Sequence, residues 1–362
     1  MKRIATALVC LMLLMAALPL AVSAAKEYTE GDFTYTVTDG KATVTKLSTS
    51  TAELVVPSQL GGYPVVAIGK SASETGYEKK FASLVIPEGV TAIGDNAFEN
   101  CKITKVTLPS SLTSIGDYAF TSCLNLKSIV IPKSVTHIGK NAFSFCENLR
   151  AITVEKGNKK YCDVNGSLYD AKKTTLILYL MNESDTTLTI PNTVTKLSDG
   201  ALYGCIGLQA VKFPSGLKTI GSGTFAFCRG LTEITIPDSV TEIGGNAFGY
   251  CSKLESVTIG KGVKTLTQNT FFECTALKKV TLTNSLTSVQ GYAFFGCAKL
   301  KDVYYNGTEQ QKSKMDINQT NEDFINAQWH FAAPTTKPTA KPTTKPTTES
   351  TTEPTTEATV ST

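Results

Sequence analysis

This chain is poor in the residues that most often carry chemistry. Lys, Arg, Asp and Glu make up 18% of its 362 residues, and the formal net charge is +4. An ordinary globular domain is about a quarter charged, and a phosphate-binding surface needs a concentrated basic footprint. Nucleic acid is therefore not the expected partner. Two histidines, His137 and His330, are the whole supply of side chains that titrate near neutrality without perturbation. No G-x-S-x-G elbow, H-E-x-x-H helix or phosphate-cradling glycine loop occurs. No catalytic residue, cofactor site or metal site is therefore assigned. Long apolar runs are missing too: past the first twenty residues no segment approaches the ~20 apolar residues of a membrane span.

Both ends are distinctive. Lys2 and Arg3 precede an apolar run over residues 4–18, and Val22-Ser23-Ala24 follows. Charged start, short apolar stretch and small-residue exit read as a secretory signal peptide over residues 1–24. Cys10 lies deep inside the apolar run, so it is not a lipid-attachment cysteine. Residues 332–362 are almost only Thr, Pro, Lys, Glu, Ser and Ala. That composition cannot bury apolar surface and predicts an extended linker or stalk.

Between the ends one unit recurs. Cys205, Cys228, Cys251, Cys274 and Cys297 are 23 residues apart at every step, and Cys101, Cys123 and Cys146 are 22 and 23 apart. Around them runs L-x-x-I-x-I-P-x-x-V-T-x-I-G-x-x-A-F-x-x-C, plain in residues 231–251. The alternating L-x-x-I-x-I piece predicts a short strand ended by Pro109, Pro132, Pro214 or Pro237, which have no N–H to continue a ladder. V-T-x-I predicts a second extended segment, and glycines such as Gly116 and Gly139 a corner too tight for a side chain. A-F-x-x-C predicts one helical turn with Phe and Cys facing inward. No coil buries its apolar face alone, so stacking is expected. The expected fold is a repeat solenoid with capped ends and short parallel strands. About ten coils at the ~4.8 Å strand spacing would span roughly 50 Å.

The predicted organisation is an N-terminal cap and first coil over 25–80, repeats over 81–299, and a C-terminal cap over 300–331. Residues 26–50 predict a hairpin turning at Asp39-Gly40. In the C-terminal cap, Trp329, the only tryptophan, is the expected plug. One coil is 13 residues too long. Its insert, at about 156–184, predicts two strands around an Ala171-Lys172-Lys173 turn. Asp163-Val164-Asn165-Gly166 lacks the rest of a calcium loop and reads as a turn.

The repeat I-P-x-x-V-T-x-I-G-x-x-A-F-x-x-C resembles the BspA-like class of leucine-rich repeats found in bacterial surface proteins, over about residues 31–331. GDFTYTVTDGKATVTK, NKKYCDVNGSLYD and VYYNGTEQQ look like further pieces of that family. Ser73, where Phe is expected, is a departure. The resemblance implies a secreted or surface-displayed adhesion role and supplies no catalytic residue.

Three sets of residues are candidates for contact. The outward positions of the first strand are Thr107, Val130, Thr153, Thr189, Lys212, Thr235, Thr258, Thr281 and Tyr304. Of these, Thr189, Lys212, Thr235, Thr258, Thr281 and Tyr304 form the expected binding face, with Tyr304 as aromatic anchor. Phe145, Tyr203, Phe227, Tyr250, Phe272 and Phe295 form either an exposed stripe or gap filling between turns. The insert around 161–179 is the rival recognition element. His137 falls on a solvent-facing position and His330 in the end cap. The ladder cysteines come in runs of three and five, which cannot pair completely along the stack. They read as buried free thiols acting as small hydrophobes, with Cys162 the accessible one. The expected function is a secreted or surface-displayed binding module for an extracellular protein or polysaccharide. The alternative is a structural spacer, or a non-catalytic part of a polysaccharide-degrading assembly.

Overall fold

The computed structural model describes residues 25–48, 51–73, 81–182 and 184–332. Residues 1–24 and 333–362, where a signal peptide and an extended linker are expected, lie outside them. The described chain is a β-solenoid of about twelve turns with two helical segments, Glu309–Lys312 and Glu322–Ile325. The two turns beyond the expected ten come from residues 300–331. They do not merely cover the last coil but continue it, through the strands Asp302–Asn306 and Gln328–Phe331.

Each coil contributes two parallel ladders. Its first strand stacks in register on the next, as Glu233–Thr235 on Ser256–Thr258 and that on Lys279–Thr283. Its second segment is only two residues, as Ala92–Ile93, Ser114–Ile115 and His137–Ile138. The corner glycine is required by close approach: a Cβ on Gly116 would stand 2.6 Å from the Asp95 nitrogen.

The A-F-x-x-C arc is not a helical turn. Phe98 and Cys101 do face inward and are buried, but the backbone alternates between two kinds of bond. Ala97 and Cys101 donate to carbonyls three residues back, while Phe98 and Asn100 donate to Ala119 and Thr121 of the following coil. A helix would consume those N–H groups internally. Two residues per arc take the left-handed conformation to re-aim the chain, as at Asn96 and Asn100, or Asn246 and Tyr250. The arc is thus a third ladder, and it explains the asparagines, which tolerate that conformation best after glycine.

Phenylalanines form the spine of the core. Phe98, Phe120 and Phe143 stack at 5.4 and 5.6 Å, and Phe225, Phe248, Phe271 and Phe294 at 5.1–5.3 Å. Phe324 closes this file against Phe294 at 4.4 Å and is fully buried. The plug is therefore Phe324, not Trp329. The indole stands edge-on to Phe324 at 5.0 Å and donates to its carbonyl, half-buried as a lid. At the other end the Asp39-Gly40 hairpin forms as expected, and Glu27–Glu30 adds a third strand.

The insert has three strands rather than two: Tyr161–Val164, Ser167–Asp170 and Thr175–Leu178. The first two turn at Asn165-Gly166, both with positive φ. The third runs parallel to Lys196–Leu197 and starts a new ladder. The ladder before it ends at His137–Ile138. Two apolar cores result, one over residues 35–180 and one over 169–324, meeting at the insert.

Candidate contact surfaces and the cleft at the insert

The expected binding face divides. Thr189 pairs with Lys212, and Thr235, Thr258, Thr281 and Tyr304 pair in one five-stranded sheet that runs on to His330. No strand pairing joins Lys212 to Thr235. The contiguous part therefore spans 233–331, with Thr235 and Thr258 exposed and Thr281 half-buried. Tyr304 is engaged on both faces of its ring. His330 stacks on it at 4.4 Å and the Lys279 ammonium lies 4.6 Å from its centroid. His330 in turn meets Asp302 at 2.7 Å. Tyr304 thus presents its edge and hydroxyl within a pre-set cluster. His137 is exposed, as its position in the repeat implies.

The aromatic set forms one continuous file. Phe145, Tyr203, Phe227, Tyr250, Phe272 and Phe295 follow one another at 4.0–5.4 Å. The rings pack on one another between turns, yet Phe145, Tyr250 and Phe295 stay exposed, so the file both fills gaps and presents an aromatic stripe. Burial pushes the Tyr203 hydroxyl up to about 12. The contact of Phe145 with Tyr203 spans the meeting of the two cores and closes it on the arc side.

The nine cysteines of the described residues are free thiols, and all but Cys162 are buried. Each of Cys123, Cys146, Cys228, Cys251, Cys274 and Cys297 donates to a carbonyl in the preceding coil, 3.1–3.3 Å away. Desolvation pushes the Cys251 and Cys297 thiols up to about 12. Cys162 is half-buried, bonds the Asp170 carbonyl, and is also raised by burial.

Sequence reasoning missed a cleft of about 270 Å³ beside the insert. Its walls come from the last coil of the first ladder (Ile138, Lys140, Asn141, Phe143) and from the insert and the coil after it (Tyr161, Ile177, Leu178, Lys196, Ser198). The insert pushes Thr175–Leu178 between two coils that still converge at Phe145 and Tyr203, leaving a wedge. The Tyr161 hydroxyl fills the broken ladder by accepting the Ile138 N–H at 2.8 Å. The sequence signals were the 13 surplus residues and Ser198, which stands where most coils have the corner glycine. Among the described residues no cluster of His, Cys, Asp and Glu is arranged to hold a metal ion. No helix among them is long and apolar enough to cross a membrane.

The repeat geometry now has a family to match. The profile of the BspA type leucine-rich repeat region matches in six copies over residues 71–165 and 179–301, more than half of the chain. The chain belongs to the BspA-type leucine-rich-repeat family. The unmatched stretch between the two blocks lies within the insert. Among solved structures, a leucine-rich cell surface protein from Faecalibacterium prausnitzii is 26% identical, with a TM-score of 0.56, over 82% of this chain and 99% of that one. A leucine-rich-repeat protein from Eubacterium ventriosum is 28% identical, with a TM-score of 0.61, over 78% and 85%. The pneumococcal vaccine antigen PcpA shares the fold at 19% identity, with a TM-score of 0.51 over 83% and 98%. No curated protein sequence matches the chain.

Proposed function

We propose that this BspA-type protein is a secreted or surface-displayed binding module, and that its contact face is the sheet carrying Thr235, Thr258, Thr281 and Tyr304. One observation carries the reading: four coils hold these residues in register on hydrogen-bonded strands, ending in the Lys279–Tyr304–His330 stack. A threonine offers a hydroxyl and a methyl on a stiff side chain, so docking on such a face orders little that is not already ordered. Many similar weak contacts then add along the file. The low charge and the leader-like residues 1–24 support an extracellular setting, as does the cell surface protein of F. prausnitzii among the similar structures.

The test has two stages. The full chain is screened against extracellular proteins and glycan arrays, and affinity for whatever it retains is measured. The triple variant Thr235→Glu, Thr258→Glu, Thr281→Glu places like charges ~5 Å apart across the face. It should lose at least tenfold in affinity while its circular dichroism stays unchanged. Unchanged affinity in that variant removes this face as the binding surface.

A further inference from the structure

The cleft at the insert holds hydrogen-bond donors that the fold satisfies everywhere else. In coil after coil, three alternate N–H groups of the arc donate to carbonyls of the next coil. Asn96, Phe98 and Asn100 bond Asp117, Ala119 and Thr121 at 2.8–2.9 Å, and Tyr118, Phe120 and Ser122 do the same one coil on. The equivalent groups of Asn141, Phe143 and Phe145 have no acceptor among the described residues. The Ala201 carbonyl, which Phe143 would meet, already accepts from Tyr179 at 2.7 Å. Phe143 is 4% exposed, and a buried donor without a partner is rare in folded proteins. The C-terminal end makes the contrast plain. There the stack also stops, but Thr320 Oγ1 and Asn321 Oδ1 accept from Tyr292 and Phe294 at 2.7 and 2.9 Å. At that end the chain supplies acceptors for two of the three donors, whereas in the cleft all three are open.

The rest of the lining adds donors and carries two lysines and two aspartates. The Tyr161 hydroxyl accepts from Ile138, so its own proton remains to be given. The Lys196 ammonium has no carboxylate partner among the described residues, and Lys140 reaches Asp199 only at 4.0 Å. The carboxylates at the rim are already engaged. Asp170 accepts from the Thr175 N–H and the Thr174 hydroxyl, and Asp199 from the Ser222 N–H. The open donors surround an apolar floor of Phe143, Ile177 and Leu178. At about 270 Å³ the space suits one ring-sized unit rather than a length of polymer.

We propose that this cleft binds a hexuronic acid unit of an acidic polysaccharide. Its carboxylate takes the Asn141 and Phe143 N–H groups and the Lys196 ammonium, a charge-assisted arrangement stronger than neutral pairing. Its ring lies on Ile177 and Leu178 and its hydroxyls meet Tyr161 and Ser198. An acidic peptide side chain has one polar end on an aliphatic stem and would leave those hydroxyl partners unmet. The site is separate from the threonine face.

The experiment is calorimetric titration of the full chain with D-glucuronate, D-glucose and tetraglutamate. Glucuronate should bind saturably, at least tenfold tighter than either of the others. Lys196→Met, on an exposed side chain, should weaken glucuronate about tenfold with an unchanged melting curve, and Tyr161→Phe should weaken it severalfold. The Thr235→Glu, Thr258→Glu, Thr281→Glu variant should bind glucuronate as the unaltered chain does, whatever becomes of its other partners. No saturable glucuronate binding, glucose or tetraglutamate binding equally well, or an affinity indifferent to Lys196→Met overturns the proposal. Loss of glucuronate binding in the threonine variant also overturns it, by moving the site to the other face.

Discussion

At the scale of single residues, the constant cysteine is a small apolar filler with one hydrogen bond to give. Its position in the arc places the thiol under the preceding coil, where a carbonyl receives it. Burial there favours the neutral thiol over the thiolate. The folded-state pKa is raised above that of the unfolded chain, near 8.5. The stability this represents is complete below that value and is lost as pH rises toward the folded value of about 12 for Cys251 and Cys297. Urea unfolding midpoints measured from pH 7.5 to 10.5 should therefore fall. A variant with Cys228, Cys251 and Cys274 replaced by alanine should start lower at pH 7.5 and fall less steeply. An equal slope in the two proteins would show that the thiols are not the groups responsible.

Elements in this protein are too short to be stable alone. Two- and three-residue strands exist because each has a neighbour on both sides, so the ends decide whether the stack is soluble. At the C-terminus the work is divided between Phe324, which extends the phenylalanine file, and the strand Gln328–Phe331, which covers the edge of Asp302–Asn306. An open apolar end with an unpaired edge invites pairing with another copy. Removing residues 300–331 should give aggregates rather than a shorter soluble protein, seen by size-exclusion chromatography with light scattering. Phe324→Ala in the whole chain should be milder, losing on the order of 3–5 kcal/mol of stability from the removed ring and the cavity it leaves. The strand content here was legible in the period-2 alternation of the repeat. The arc was not, because A-F-x-x-C also fits a helical turn. Only the next coil, by accepting alternate N–H groups, makes the left-handed conformations at Asn246 and Tyr250 worth their strain.

The whole molecule behaves as two stacks joined at the insert. Within each stack neighbouring coils share the arc ladder and at least one strand ladder, and stability in such a protein is a sum of coil and interface terms. Across the insert the arc ladder is open at Asn141, Phe143 and Phe145, the first-strand sheets are interrupted, and the two apolar cores are distinct. All three ladders break together there, whereas elsewhere in the described residues at most one does. Urea should therefore unfold the protein in two steps. The fluorescence of Trp329 follows the C-terminal stack alone, and circular dichroism follows both. Coincident transitions by the two probes would show one cooperative unit and contradict this picture.

The period, the inward positions of leucine, isoleucine, phenylalanine and cysteine, the strand faces, and the place where the repeat breaks are all readable in the order of the amino acids. Those follow from local alternation and from the need of every coil for a neighbour, and both are written in 23 residues at a time. The threonine positions were legible for the same reason. How the coils meet is fixed by the folded chain alone. It set the gap between Lys212 and Thr235, the covering of Tyr304 by His330 and Lys279, the replacement of Trp329 by Phe324 as the plug, and the open donors beside the insert. Each depends on residues 22–60 positions apart reaching or failing to reach one another. A hydrogen bond to the next coil is lost when that coil is displaced by a few ångströms, and no pattern within a single repeat records the displacement.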